Sequence, residues 1–214
     1  MKMQRVKRFV LMAAAAAATV SCGDVVRQGR APVFVVIDQL LASRGASTPG
    51  PYTGTLISDV ITNVTTGGNC STAKPCATVF NDYGRATLRM VPKDIGPQAT
   101  ATVPSPSPNN EVTITRYRVE YRRADGRNTQ GVDVPWSFDG AATGTIPSGG
   151  VLALDFEIVR HNAKQEPPLV ALQENNPIIA TIAYVTFYGR DRVGNEVNVT
   201  GQILIEFGNF GDPS

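Results

Sequence analysis

The chain has 214 residues, with 20 Lys and Arg against 18 Asp and Glu, a formal charge of +2, one histidine and three cysteines. A single histidine excludes a histidine-built metal cluster, and the length suits one sizeable core and little more. The excess of positive charge sits at the start: Lys2, Arg5, Lys7 and Arg8 fall in the first eight residues, where no acid stands.

Behind that basic start runs FVLMAAAAAATV, uncharged and mostly apolar. It is shorter than the roughly 20 apolar residues that cross a bilayer, and the pair reads as a secretory signal. The lack of acids before Asp24 also fits a mitochondrial transit peptide, but the apolar block is unbroken and has no Arg-rich amphipathic spacing. Ala16 to Ala18 suit an ordinary signal peptidase. TVSC, residues 19–22, resembles the lipobox of bacterial lipoproteins, with Val20 and Ser21 in place and Thr19 where leucine is commonest. That resemblance implies a signal over 1–21 and a lipid on Cys22, which becomes the first mature residue and holds the protein to a membrane. Gly23 in place of aspartate implies the outer membrane. Cysteine parity agrees, since lipidation of Cys22 leaves Cys70 and Cys76 as a pair.

Cleavage at this site leaves 193 residues with 16 bases against 18 acids, a net charge of −2. A mature chain of that charge has no electrostatic case for nucleic acid. The expected setting is the bacterial cell envelope, facing the periplasm or the cell surface.

Residues 22–32 read as anchor and tether, and 33–209 as one domain. VFVVI (33–37) is a strand, and DQLLAS (38–43) suits a helical turn or two. Main strands follow at 54–62 and 85–91, with a Gly- and Pro-containing disulfide loop (67–80) between them. VPKDIGPQATATVPSPSPNN (91–110) reads as a long exposed loop. The third strand, 112–123, buries Tyr117, Val119 and Tyr121 and exposes Arg116, Arg118, Glu120 and Arg122. A short piece near 134–145 precedes 150–158, where Leu152, Leu154, Phe156 and Ile158 point inward. EIVRHNAKQ coils briefly before Pro167 and Pro168 stop it. IIATIAYVTFY, within the strand 178–189, is apolar on both faces and suits a central strand. The last strand, 196–207, points Val197, Val199, Ile203, Ile205 and Phe207 inward.

Counted from residue 54, about seven strands imply an all-β, antiparallel two-sheet sandwich. YRVEYRRADG resembles the third strand and turn of fibronectin type III modules. ATIAYVTFYGRDRVGNEVNVTGQILIEF resembles the closing hairpin of bacterial immunoglobulin-like domains. The resemblance covers roughly the last hundred residues and implies architecture, not activity. The fibronectin tryptophan is missing from the second strand, and Trp136 falls later.

Few residues suggest chemistry, and none calls for a cofactor. Cys70 and Cys76 admit a redox or metal pair, but no further ligand stands near, and a disulfide closing a small loop is the simpler reading. His161 has no G-x-S-x-G elbow to serve. Asp155 and Glu157 project from one face, as a glycosidase pair would, or as partners of arginines on the strand carrying Arg85 and Arg89. Asp191 and Asn195 fit a calcium site or an ordinary hairpin turn.

The remaining candidate is a surface. The resemblance implies that the strand with Arg116, Arg118 and Arg122 lies beside the one carrying Tyr184 and Tyr188, either as an interaction face or as solvated arginines over core tyrosines. The expectation is therefore a non-catalytic binding or structural module with an envelope protein or glycan partner. An extracytoplasmic carbohydrate-active hydrolase and a subunit of an envelope complex are the alternatives.

Overall fold

The computed structural model describes residues 30–93, 106–174 and 177–211. The signal, Cys22, most of the tether and most of the Pro-rich segment lie outside these residues. Ten strands form in chain order: β1 (Val33–Ser43), β2 (Thr55–Asp59), β3 (Thr62–Val64), β4 (Cys76–Thr78), β5 (Asp82–Pro92), β6 (Val112–Arg122), β7 (Phe138–Ile146), β8 (Val151–Val159), β9 (Ile179–Asp191) and β10 (Glu196–Gly208). A single-turn helix, α1 (His161–Lys164), and a 3-10 turn, Leu169–Leu172, lie between β8 and β9.

Three sheets result, with orders β1-β5-β8, β2-β10-β9-β6-β7 and β3-β4. The first two bury their inner faces against each other, because their strands alternate with the period of two that the pleat demands. Ala86, Leu88, Leu154, Phe156 and Ile158 come from one sheet. Tyr117, Val119, Val185, Phe187, Ile205 and Phe207 come from the other, and all are buried. The centre is aromatic: Phe156 lies 5.0 Å from Tyr117 and 5.2 Å from Phe187, ring centre to ring centre. β9, apolar on both faces, is the middle strand of five, as its composition suggests.

Several expectations need correction. From residue 54 on the described residues hold nine strands, not about seven: 54–62 divides into β2 and β3, and β4 forms inside the cysteine segment; VFVVI, expected as a strand, opens β1. The sandwich is not wholly antiparallel, since β2 pairs with β10 in parallel, Leu56 opposite Ile205. DQLLAS is not helical. β1 continues through it beside β5, with a bulge between Ile37 and Gln39. The bulge moves the inward set from odd residues (Val33, Val35) to even ones such as Ala42, which erases the alternation that marks a strand.

Cys70 and Cys76 form a disulfide six residues apart, at the margin of the small β3-β4 sheet. The brief helix before Pro167 is present as α1.

Candidate interaction face

The bulge in β6 between Ile114 and Arg116 shifts its register against both β7 and β9 and decides which β6 side chains face outward. Beyond it, Tyr117, Val119 and Tyr121 turn into the core, so Arg116, Arg118, Glu120 and Arg122 turn out. On β9 the same alternation buries Val185 and Phe187 and leaves Tyr184, Thr186 and Tyr188 on the outer side. Across the two strands Arg116 stands opposite Tyr188, Arg118 opposite Thr186, Glu120 opposite Tyr184 and Arg122 opposite Ile182.

The arginines and tyrosines of the predicted surface therefore meet. The Arg116 guanidinium carbon lies 3.7 Å from the centre of the Tyr188 ring, and that of Arg122 lies 4.8 Å from the Tyr184 ring. Stacking on an aromatic face suits the planar, weakly hydrated guanidinium. Arg118 lies between them and takes a different role. It donates to Glu120 at 2.8 Å and to Asp139 of β7 at 2.8 Å. Arg116 donates to the other oxygen of Asp139 at 3.1 Å. The hydrogen bond from Arg118 holds the Glu120 carboxyl below the usual carboxylate range, and the same bond raises Arg118.

Asp139 escaped notice in the sequence. It stands directly opposite Arg118 in the β6-β7 ladder, a pairing that no local pattern announces. The face continues across β10 through Asn198, Thr200 and Gln202, with Thr186 and Thr200 joined at 2.9 Å. At its bulged end a shallow groove of about 300 Å³ opens between Thr115, Arg116, Tyr188, Arg190, Glu196 and Asn198. The face is thus polar and charge-mixed, with two guanidinium groups fixed on aromatic rings and a third fixed by two carboxylates.

The other candidates fall elsewhere. Asp155 and Glu157 lie on the outer face of the three-stranded sheet, as the alternation requires. Arg85 binds Asp155 through two hydrogen bonds, at 2.6 and 2.9 Å, which hold its carboxyl low. Arg89 does not join them: it donates to Asp38, the bulge residue of β1, at 2.6 Å. Glu157 takes a bond from Asn81 at 2.9 Å and pairs with Arg160 at 3.7 Å.

His161 opens α1 on the surface, its Nδ1 2.9 Å from Asn81 Oδ1. Asp191 closes the β9-β10 turn. Its Oδ1 accepts from the backbone N–H of Val193 and Asn195 at 3.1 and 2.7 Å, and its Oδ2 accepts from Asn195 Nδ2 at 2.7 Å. Gly194 supplies the positive φ, +89°, that this turn needs. Both Asp191 oxygens are already occupied. Among the described residues no helix is long and apolar enough to cross a membrane.

Compared with known protein families, with curated proteins and with solved structures, the chain matches none.

Proposed function

We propose that this protein is a lipid-anchored binding module of the bacterial cell envelope. An immunoglobulin-like sandwich, tethered through Cys22, presents the outer face of its five-stranded sheet to another envelope protein. One observation carries the reading: Arg116 and Arg122 are stacked on Tyr188 and Tyr184 on an open sheet surface. Arginine and tyrosine are the residue types that anchor protein interfaces. A guanidinium already held in place loses less freedom on docking than a free one.

The charge pattern favours a protein over a polyanion. Arg116, Arg118 and Arg122 are interleaved with Asp139 and Glu120, so the face presents alternating signs and no continuous positive field. The tether and anchor serve the same end, because attachment to a membrane raises the effective concentration of a partner held there. The hydrolase reading gains nothing from the geometry: Arg85 engages Asp155 through two hydrogen bonds, and Asn81 and Arg160 engage Glu157, so both carboxylates serve as partners of neighbouring side chains.

Chemical crosslinking in intact cells tests the proposal. The wild-type protein is expected to give one defined adduct, absent from the Arg116→Ala/Arg122→Ala variant at equal abundance. Radiolabelled palmitate should enter the wild type and not Cys22→Ala. An adduct that ignores the arginines would refute the face, and an unlabelled wild type would refute the anchor.

A further inference from the structure

The loop between β6 and β7, residues 123–137, carries Trp136, the only tryptophan of the chain, and leaves it 57% exposed. An indole has a large apolar body to take out of water, and here it stands outside the core on a loop that is tightly fixed. Val134 and Pro135, next to it in the chain, are buried. The Thr129 carbonyl accepts from the N–H of Asp133 at 2.8 Å and of Val132 at 3.2 Å, and Gly131 N–H donates to the Val134 carbonyl at 2.8 Å. Gly131 has a φ of +75°, and a Cβ there would lie 2.7 Å from Trp136 Nε1. Only glycine allows both that turn and the indole resting against it.

The groups beside the ring are polar and partly unspent. Gln130 Oε1 accepts from the Ser137 N–H and from Ser137 Oγ, both at 3.1 Å. A backbone N–H only donates, so the atom facing it is the amide oxygen, and the amide nitrogen turns away with two donors. Among the described residues nothing accepts from that nitrogen. Asp133 gives Oδ2 to the Thr129 N–H at 3.1 Å, and no hydrogen-bond donor among the described residues reaches its Oδ1. Arg118 donates to Ser137 Oγ at 3.2 Å and ties this corner to β6.

We propose that this loop is a glycan-binding site. Trp136 stacks on the apolar C–H face of a sugar ring, Gln130 Nε2 donates to its hydroxyl groups, and Asp133 Oδ1 accepts from them. A sugar ring carries those two surfaces together, C–H bonds on a face and hydroxyls around the rim. A protein-binding tryptophan is expected amid neighbours that exclude water. Here only Val132 adds exposed apolar surface, while Arg127, Asn128, Thr129 and Gln130 are polar and exposed. The fixed loop lowers the cost of ordering on binding.

The position suits a ligand away from the membrane. Arg30, where the described chain begins, lines a cleft with Val193 and Gly194 of the β9-β10 turn. β6 starts at that end, Val112 opposite Asp191, and runs for eleven residues to the other. The loop with Trp136 therefore stands about 33 Å from the end where the tether enters.

Sedimentation of the full mature chain with three insoluble polysaccharides, protein-free sacculi, chitin and cellulose, tests this. The wild type is expected in the pellet with at least one of them. Trp136→Ala should weaken that retention about tenfold or more, as loss of an anchoring aromatic does, and Trp136→Phe should keep part of it. Gln130→Glu keeps the oxygen that holds Ser137 but has no N–H to donate, and should cost about threefold to tenfold, the worth of one hydrogen bond. Arg116→Ala/Arg122→Ala should sediment like the wild type, so this site and the arginine face can fail separately. A wild type left in solution by all three polysaccharides would overturn the proposal, as would equal retention of Trp136→Ala. Loss of the crosslinked protein adduct from Trp136→Ala cells would also overturn it, by placing the indole on a protein contact.

Discussion

Arg116 of β6 and Tyr188 of β9 face each other on neighbouring strands, the guanidinium carbon 3.7 Å from the ring centre. Exposed contacts of this kind contribute about 0.5–1 kcal/mol. A double-mutant cycle of Arg116→Ala and Tyr188→Leu, read by denaturant unfolding, should return a coupling in that range. A coupling near zero would mean that the guanidinium is held by Asp139 alone, and the face would lose one of its fixed anchors.

The core prediction concerns Gly84 and Phe156, opposite each other on β5 and β8. A Cβ at Gly84 would lie 2.4 Å from Phe156 Cζ. Phe156→Ala should cost about 3–5 kcal/mol, and Gly84→Ala about 1–3 kcal/mol through overpacking. Gly84→Ala combined with Phe156→Leu should be less destabilising than the two single costs together, because the shorter side chain makes room. Strict additivity would show that the ring does not lie over the glycine.

Acid should weaken the fold in a defined direction. Arg118 holds Glu120 low and Arg85 holds Asp155 low, so the folded protein binds fewer protons than the unfolded chain does at these sites. Their contribution is complete above the unfolded carboxylate range, about pH 4, and is lost as pH falls through the lower folded values. The Arg85–Asp155 pair is exposed and the Arg118–Glu120 pair only half-buried, so solvent screens both and the loss should be small. Arg85→Gln should flatten the acid limb of a melting-temperature profile. An unchanged limb would remove Asp155 from the account.

The β9-β10 turn should depend on Asp191 and not on calcium. Asp191→Ala removes the acceptor of two backbone N–H groups and should cost about 1–2 kcal/mol. Adding a chelator to the wild type should leave its melting temperature unchanged. A fall on chelation would mean that the turn binds a cation.

What could be read from sequence followed the physics of strands. In β6, β8 and β10 a period of two separates inward from outward residues, so local pattern alone places Tyr117, Phe156 and Ile205 inside, where they lie. The Arg116–Tyr188 contact needed one more step, the adjacency of β6 and β9, which came from the resemblance to known sandwiches. The first half of β1, VFVVI, reads as a strand; the second half does not, because the bulge at Asp38 reverses its faces midway and leaves Leu40, Leu41 and Ala42 with no alternation to betray a strand. The parallel pairing of β2 with β10 joins residues at opposite ends of the chain, and no local signal encodes it. Lys164 stands in a polar stretch with its partner Asp82 82 positions away, so no local signal marks it as buried. Asp139 escaped for the same reason, its meaning resting on register alone.

The claim that the five-stranded sheet docks a partner is tested most directly by placing a photoreactive residue at Thr186, amid the arginines and tyrosines, and separately at Thr87, on the outer side of the three-stranded sheet. Irradiation of intact cells should give a discrete protein adduct from position 186 and none from 87, and Arg116→Ala/Arg122→Ala should abolish it. Adducts from 87 alone, or from neither position, would contradict the account.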